Sequence, residues 1–289
     1  MNFMAPKGKI LIIGGKEDRS DTDVEMKETN RDYSPHEILK NLAQSKDDRI
    51  EIITTATSDP EDMRKTYTET FTEIGYINFG FLDIDSDSNS DEAECLKRIE
   101  NAKTVFFTGG DQDKICNALK GKAINKLLKE KYNTENDFII AGTSAGAMCI
   151  PETMISEAEN GEAIVENDIC LDPGLGFIGN CIVDTHFVHR GRFGRLAHAV
   201  MLNQQCWGIG LGEDTALLIE EENNAICKGS GMVLVIDGKE IKQTNVDFVE
   251  KGFPVYAENL KVHILTDGCC INLDNGKMTG VKNKQNSEG

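Results

Sequence analysis

Nowhere in the 289 residues do about 18 apolar side chains follow one another, the length a membrane-spanning helix needs. The first residues, "MNFMAPKGKILIIGG", carry Lys7 and Lys9, but the apolar run "ILII" is far shorter than the roughly 7–15 residues of a secretory signal. A cytoplasmic protein with no membrane partner is the expectation. Nine cysteines are scattered without a single C-x-x-C, which reads as reduced, mostly buried thiols. Cys269 and Cys270 adjoin, but no histidine or carboxylate cluster stands at ligand spacing beside them, so no metal is expected. Basic charge is also short: the formal net charge is −18, and no cationic stripe is present to displace counterions from phosphates. Nucleic acid is therefore excluded as a partner, whereas cationic ligands suit such a field. The Gly-Gly of "IIGGKED" lacks the third glycine of a dinucleotide loop, which argues against a nucleotide cofactor. Proline is scarce, six residues against 27 glycines, as in an α/β protein with many tight turns. Linkers, internal repeats and low-complexity blocks are missing apart from the tail "KNKQNSEG" (282–289), expected to fray. Residues 1–289 thus read as one domain, long enough for a large core.

What is present is a regular alternation. Apolar runs at 9–15, 49–56, 77–84, 104–110 and 137–142 read as buried strands. Helical patterns at 59–75, 90–102 and 111–132 lie between them. Ser34, Pro35 and Glu37 give a further helix a capping box, and the polar stretch 18–33 reads as a surface loop. Strand–helix units of this length predict an α/β fold: a mostly parallel sheet with helices on both faces, and ligands at the carboxyl ends of its strands. Further on, short runs at 181–187, 207–211, 215–219, 224–228, 232–236 and 261–265, with a helix near 191–205, predict an antiparallel C-terminal extension of the same sheet.

The chemistry-bearing stretch is "GTSAG" (142–146), placed directly after the apolar "DFIIAG". G-x-S-x-G between a strand and a helix is the nucleophile-elbow pattern, in which a tight turn exposes the hydroxyl. Ser144 is the candidate nucleophile, and the N–H of Ala145 at the helix start can face an oxyanion. A serine needs a base, and only five histidines are available. His36 is expected at the surface and His263 in an edge or core strand. His189 and His198 lie in or beside a basic helix. His186 closes the strand "CIVDTHF" and stands on the rim of Ser144. Three carboxylates could orient it, Asp184, Glu213 or Asp214, and the residues alone do not choose among them. "FTGGDQ" offers Gly109 and Gly110 to complete an oxyanion hole, with Gln112 within reach of a substrate. Arg190, Arg192 and Arg195 in "HRGRFGRL" could clamp carboxylates with planar forks.

Five ordered blocks, "LIIGGKED", "FTGGDQ", "GTSAGA", "DTHFVHRGRFGRL" and "GIGLGEDTAL", resemble the cyanophycinases, in the serine peptidase family that also holds aspartyl dipeptidases. The resemblance spans about residues 8–275. It implies a class I glutamine-amidotransferase-like fold, and Ser144, His186 and Glu213 as nucleophile, base and orienting acid. It places Gln112, Asp184, Thr185, Arg190, Arg192 and Arg195 on the substrate side. It also implies a homodimer that needs no metal or cofactor. The substrate it implies is cyanophycin, a poly-aspartate backbone with arginines on its β-carboxyls, cut to β-Asp-Arg dipeptides. Two departures bear on the substrate: Thr185 stands where the family usually has glutamine, and the 18–33 stretch is longer than its usual turn. An isoaspartyl dipeptidase is the rival within the enzymes. A non-catalytic binding protein on the same fold is the rival outside them, and it should lack one of the three triad residues.

Overall fold

A computed structural model of the protein describes residues 5–17, 36–84, 92–158, 162–166, 168–220 and 223–280. The 18–33 loop, the Ser34–Pro35 cap and the 282–289 tail lie outside the described residues.

Five strands run parallel: β1 (Lys9–Ile13), β2 (Ile50–Ile53), β3 (Phe79–Leu82), β4 (Thr104–Phe107) and β5 (Ile139–Thr143). Between them lie α1 (Pro60–Ile74), α2 (Glu92–Asn101), α3 (Gln112–Leu119) and α4 (Ala123–Thr134). These strands are apolar without alternation because both of their faces are covered. Leu11 and Ile13 of β1 point to the side where Tyr67 and Phe71 of α1 pack. Ile10 and Ile12 point to the side of Ile99 in α2, Ile115 in α3 and Leu128 in α4. The ends of α1 follow local rules. Asp59 accepts the Asp62 N–H at 3.1 Å, Pro60 takes the first helical position, and Gly75 closes the helix at φ 89°.

Where a helix is expected after Ser34 and Pro35, the described residues from His36 on hold a 3-10 turn, Leu39–Leu42. His36 just before it is buried rather than exposed, with Nε2 3.5 Å from Glu73 of α1. Ile38, Leu39 and Leu42 beside it pack against one face of the large sheet and against α1, and that burial carries the imidazole inside with them.

After β5 come the one-turn helix α5 (Ala145–Met148) and an antiparallel hairpin, β6 (Thr153–Ala158) with β7 (Ile169–Pro173). Next follow β8 (Cys181–Asp184), α6 (Phe193–Leu202), β9 (Trp207–Leu211), β10 (Thr215–Glu220), β11 (Asn224–Gly229) and β12 (Val233–Asp237). The short pair β13 (Gln243–Thr244) and β14 (Ala257–Glu258) precedes β15 (Lys261–Leu265), β16 (Cys270–Asn272) and β17 (Met278–Thr279).

The large sheet has the order β17-β16-β11-β10-β1-β5-β4-β2-β3, so its antiparallel extension joins at β1 through β10. The sequence places six later strands in that extension; only β10 and β11 belong to it. β8, β9, β12 and β15 form a second sheet in the order β15-β12-β9-β8. Within it β8 and β9 are parallel, with α6 as their crossover. The second sheet is itself covered twice. Val183, Ile209, Val233 and Val235 share a core with β1 and β4, while Ile182 and Ile236 pack with Val200 of α6. Five of the nine cysteines are buried and none is joined in a disulfide.

Candidate active site

Ser144 follows β5 with φ 53° and ψ −122°. This conformation costs a non-glycine residue on the order of 1–3 kcal/mol and persists only where neighbours enforce it. Here they do. The Ser144 N–H bonds to the Ile13 carbonyl at 3.0 Å, and its own carbonyl accepts the N–H groups of Ala147 (2.9 Å) and Met148 (3.1 Å).

The bond to Ile13 is the first of three. His186, two residues beyond β8 at φ 49°, donates its N–H to the Gly14 carbonyl at 2.8 Å. Asp214, at φ 46° in the turn from β9 to β10, donates its N–H to Gly15 at 2.9 Å. Three consecutive carbonyls at the end of β1 thus hold the backbone at Ser144, at His186 and beside Glu213. The side chains continue this anchoring. Gly15 has φ 96°, and a Cβ there would stand 2.3 Å from the His186 ring, so only glycine allows the imidazole to lie across it. Glu17 is 3% exposed and accepts from the Tyr67 hydroxyl (2.6 Å) and from that of Thr143 (2.7 Å), the residue before Ser144. The sequence signal for this anchor was the Gly-Gly pair at a strand end followed by two charged residues. Glu17 and Lys16 themselves were not singled out.

The side chains make one line. Nε2 of His186 lies 3.0 Å from Ser144 Oγ, and Nδ1 lies 2.7 Å from Glu213 Oε1. Of the three carboxylates left open by the residues, Glu213 is the one against the imidazole. Burial pulls the His186 pKa below its ordinary value; the Glu213 hydrogen bond opposes this, and the charges of Arg190 and Arg192 add to it. For Glu213, burial acts upward, but the His186 hydrogen bond and the charges of His189, His186 and Lys16 outweigh it and hold the carboxyl below its usual range.

Asp184 faces elsewhere. It is fully buried and receives Arg195 twice, Nε to Oδ2 at 2.6 Å and Nη2 to Oδ1 at 2.5 Å. It also accepts from Arg192 at 3.1 Å and from the Thr185 N–H at 2.8 Å. Arg192 donates as well to the Thr185 carbonyl at 2.8 Å. Burial lowers the Arg192 pKa to about 10, against Asp184 and with Arg195 and Arg190, which leaves it a cation at neutral pH. Thr185 is fully buried, and its hydroxyl has no hydrogen-bond partner among the described residues. Asp184, Thr185 and Arg195, expected on the substrate side, therefore sit in the interior beneath it. Arg190 is exposed at the rim, one residue after His189.

Opposite the imidazole, the Gly109–Gly110 turn lies beside the nucleophile: a Cβ on Gly109 would be 3.3 Å from Ser144 Cβ. Gly110 has φ 141° and approaches the Ala56 carbonyl too closely for any side chain. Thr108 and Asp111 donate their N–H groups to Ile53 and Ala56. Among the described residues no backbone carbonyl takes those of Gly109, Gly110 or Ala145. Gln112, expected to reach the substrate, spends its amide on the Ile155 and Ser156 carbonyls of β6 (3.1 and 2.9 Å). No group of three His, Cys, Asp or Glu among the described residues is placed to hold a metal ion. No described helix is long and apolar enough to cross a membrane.

A serine on a strand-to-helix elbow at the carboxyl end of the mostly parallel sheet, in line with a histidine and a glutamate that follow β8 and β9 of the second sheet, is the arrangement of a serine hydrolase. Residues 20–227 match the model of peptidase family S51, and the chain belongs to that family: it is a serine peptidase. It is 30% identical to a cyanophycinase of Synechococcus elongatus over 270 residues, 92% of this chain and 80% of the relative. It is 31% identical to a cyanophycinase of Trichormus variabilis over 267 residues, 91% and 85% of the two chains. In fold it resembles the crystal structure of a peptidase from an acI-B1 Actinobacterium, with a TM-score of 0.64 at 19% identity, covering 93% of this chain and 98% of the other. A putative peptidase E protein of Listeria monocytogenes gives 0.54 at 14% identity, covering 78% and 99%.

Proposed function

We propose that this peptidase hydrolyses cyanophycin to β-Asp-Arg dipeptides, with Ser144 as nucleophile, His186 as base and Glu213 as the acid that fixes the imidazole. The observation that carries the chemistry is the unbroken line Glu213–His186–Ser144 at 2.7 and 3.0 Å on a strained elbow. The likeness to cyanophycinases across about nine-tenths of the chain supports the substrate. His186 donates Nδ1–H to Glu213 and accepts the serine proton at Nε2 while Ser144 Oγ attacks the scissile carbonyl. The N–H groups of Gly109, Gly110 and Ala145 meet the oxyanion, each such donor contributing about 3–4 kcal/mol. His186 then protonates the leaving amine, and water releases the acyl group by the same steps in reverse. This sequence uses no metal or cofactor. Arg190, with the remaining N–H groups of Arg192, binds the α-carboxylates of the polymer. The acidic chain attracts its guanidinium groups. The resemblance adds a homodimer, which sedimentation of the purified chain checks.

Incubation with insoluble cyanophycin and mass analysis of the soluble products is the direct test. β-Asp-Arg is expected; equal rates on ordinary peptides that carry no β-linked arginine would defeat the assignment. Arg190→Lys keeps the charge and loses the fork, so kcat/KM on a β-Asp-Arg oligomer should fall about 10–150-fold, the loss of one charge-assisted hydrogen bond. The melting temperature should stay unchanged, because Arg190 is exposed.

The pH profile has a definite sign. The base must be neutral, and its protonated form accumulates only as pH falls through the folded pKa. Because that pKa is depressed, kcat/KM should be flat through neutrality. Its acid limb should fall below the ordinary imidazole value of about 6.5. A midpoint above 7 would contradict the placement of His186.

A further inference from the structure

The triad reading uses one oxygen of Glu213. The other, Oε2, faces Nζ of Lys16 at 3.4 Å and Nδ1 of His189 at 3.5 Å. The two groups arrive from different elements, Lys16 from the turn after β1 and His189 from the segment between β8 and α6. The Glu213 side chain is 12% exposed, while those of Lys16 and His189 are 62% and 40% exposed. A nearly buried carboxylate is thus approached on its solvent side by two groups able to carry positive charge. The terminal torsion of a glutamate is broad and roughly two-fold. With Oε2 unheld, the carboxylate could rotate and carry Oε1 off the imidazole. Donors from two directions remove that freedom.

We propose that Lys16 and His189 are positioning residues that clamp Oε2 of Glu213 and moderate the field its carboxylate exerts on His186. The proposal rests on the triad reading. Its consequence is a tuned base. A lone carboxylate against an imidazole favours the imidazolium, which cannot accept the serine proton. Positive charge brought to Oε2 by Lys16 and His189 offsets part of that field. The other charges around the pair act in the same sense: Arg190 and Arg192 both disfavour the imidazolium. Asp214, the neighbour of Glu213 in the chain, is buried and fixed through its N–H to Gly15.

The experiment follows the low-field Nδ1 proton of His186 by NMR, assigned through its loss in His186→Gln, together with kcat/KM against pH. In Lys16→Met the titration midpoint and the acid limb should move up by about 0.3–1 pH unit, the effect of one unit charge several ångström away in a polar medium. Lys16→Arg should restore the wild-type midpoint. His189→Gln should move the same His186 midpoint in the same direction as Lys16→Met. In both variants kcat should fall several-fold while KM holds. Unchanged midpoints in Lys16→Met and His189→Gln, with Glu213→Gln inactive, would overturn the clamp and leave the triad standing. Full activity in Glu213→Gln would overturn the triad reading first, and the clamp with it.

Discussion

Ser144→Ala is expected to remove peptidase turnover by about 10⁴–10⁶-fold while the protein folds as before. The rate loss follows from the line of side chains: without Oγ there is no nucleophile, and His186 and Glu213 have no proton to move. Deleting one member of such a unit costs nearly as much as deleting the whole, since the remaining oxyanion donors and binding give only a residual rate. The fold is expected to survive because what holds the elbow is backbone. The N–H of residue 144 still bonds to Ile13, its carbonyl still caps Ala147 and Met148, and alanine is no larger than serine. The positive φ is as costly to alanine as to serine, so the melting temperature should move little. A fluorophosphonate should label wild type at Ser144, and should label neither Ser144→Ala nor His186→Gln. Turnover near wild type in a cooperatively folded Ser144→Ala protein would place the nucleophile elsewhere.

The difference between what was legible in the sequence and what was not is one of range. β1 to β5 and α1 to α4 could be read because their signals are local: apolar runs buried on both faces, Asp59 and Pro60 at the start of α1, Gly75 at its end. The strand-to-helix setting of Ser144 is equally local, and His186 stood out by ending an apolar run. The partners of the later strands were not legible. A run such as "CIVD" or "VLVID" is equally apolar in either sheet, and only tertiary packing decides that β8 and β12 leave the sheet that β10 joins. The β6–β7 hairpin gave no signal because its strands mix polar and apolar residues. In the site, Glu213 could be preferred to Asp184 only by resemblance, since Asp184 is nearer to His186 in sequence and shares its strand pattern. The structure adds the missing physical reason: Arg195 and Arg192 have already taken Asp184. Gly15, Lys16 and Glu17 were missed as site residues because each acts on a group more than 120 positions away in the chain.

That prior claim on Asp184 sets the second large effect, which is one of stability before it is one of substrate binding. Asp184 is fully buried, and the guanidinium of Arg195, itself 8% exposed, meets both of its oxygens. Removing one partner of a buried ion pair leaves the other charge without water and without a counter-charge, at a cost of about 3–5 kcal/mol. Arg195→Met and Asp184→Asn should each lower stability by about that amount. A surface arginine that only decorates a helix would cost within about 0.5 kcal/mol. The damage should also reach the chemistry. The Thr185 carbonyl takes Arg192, and the Thr185 N–H bonds back to Asp184, so the backbone that delivers His186 to Ser144 depends on this pair. Both variants should therefore lose kcat as well as stability, unlike Arg190→Lys, which should lose kcat/KM alone. A double-mutant cycle tests the coupling. Asp184→Leu combined with Arg195→Met removes both charges of the pair, and it should be less destabilising than the sum of Asp184→Leu and Arg195→Met alone; Arg192 then loses one acceptor but keeps the Thr185 carbonyl. Urea unfolding of the four proteins measures this. Additive losses of under 1 kcal/mol would mean that Asp184 and Arg195 are not paired in the folded protein, and would return both to the substrate surface.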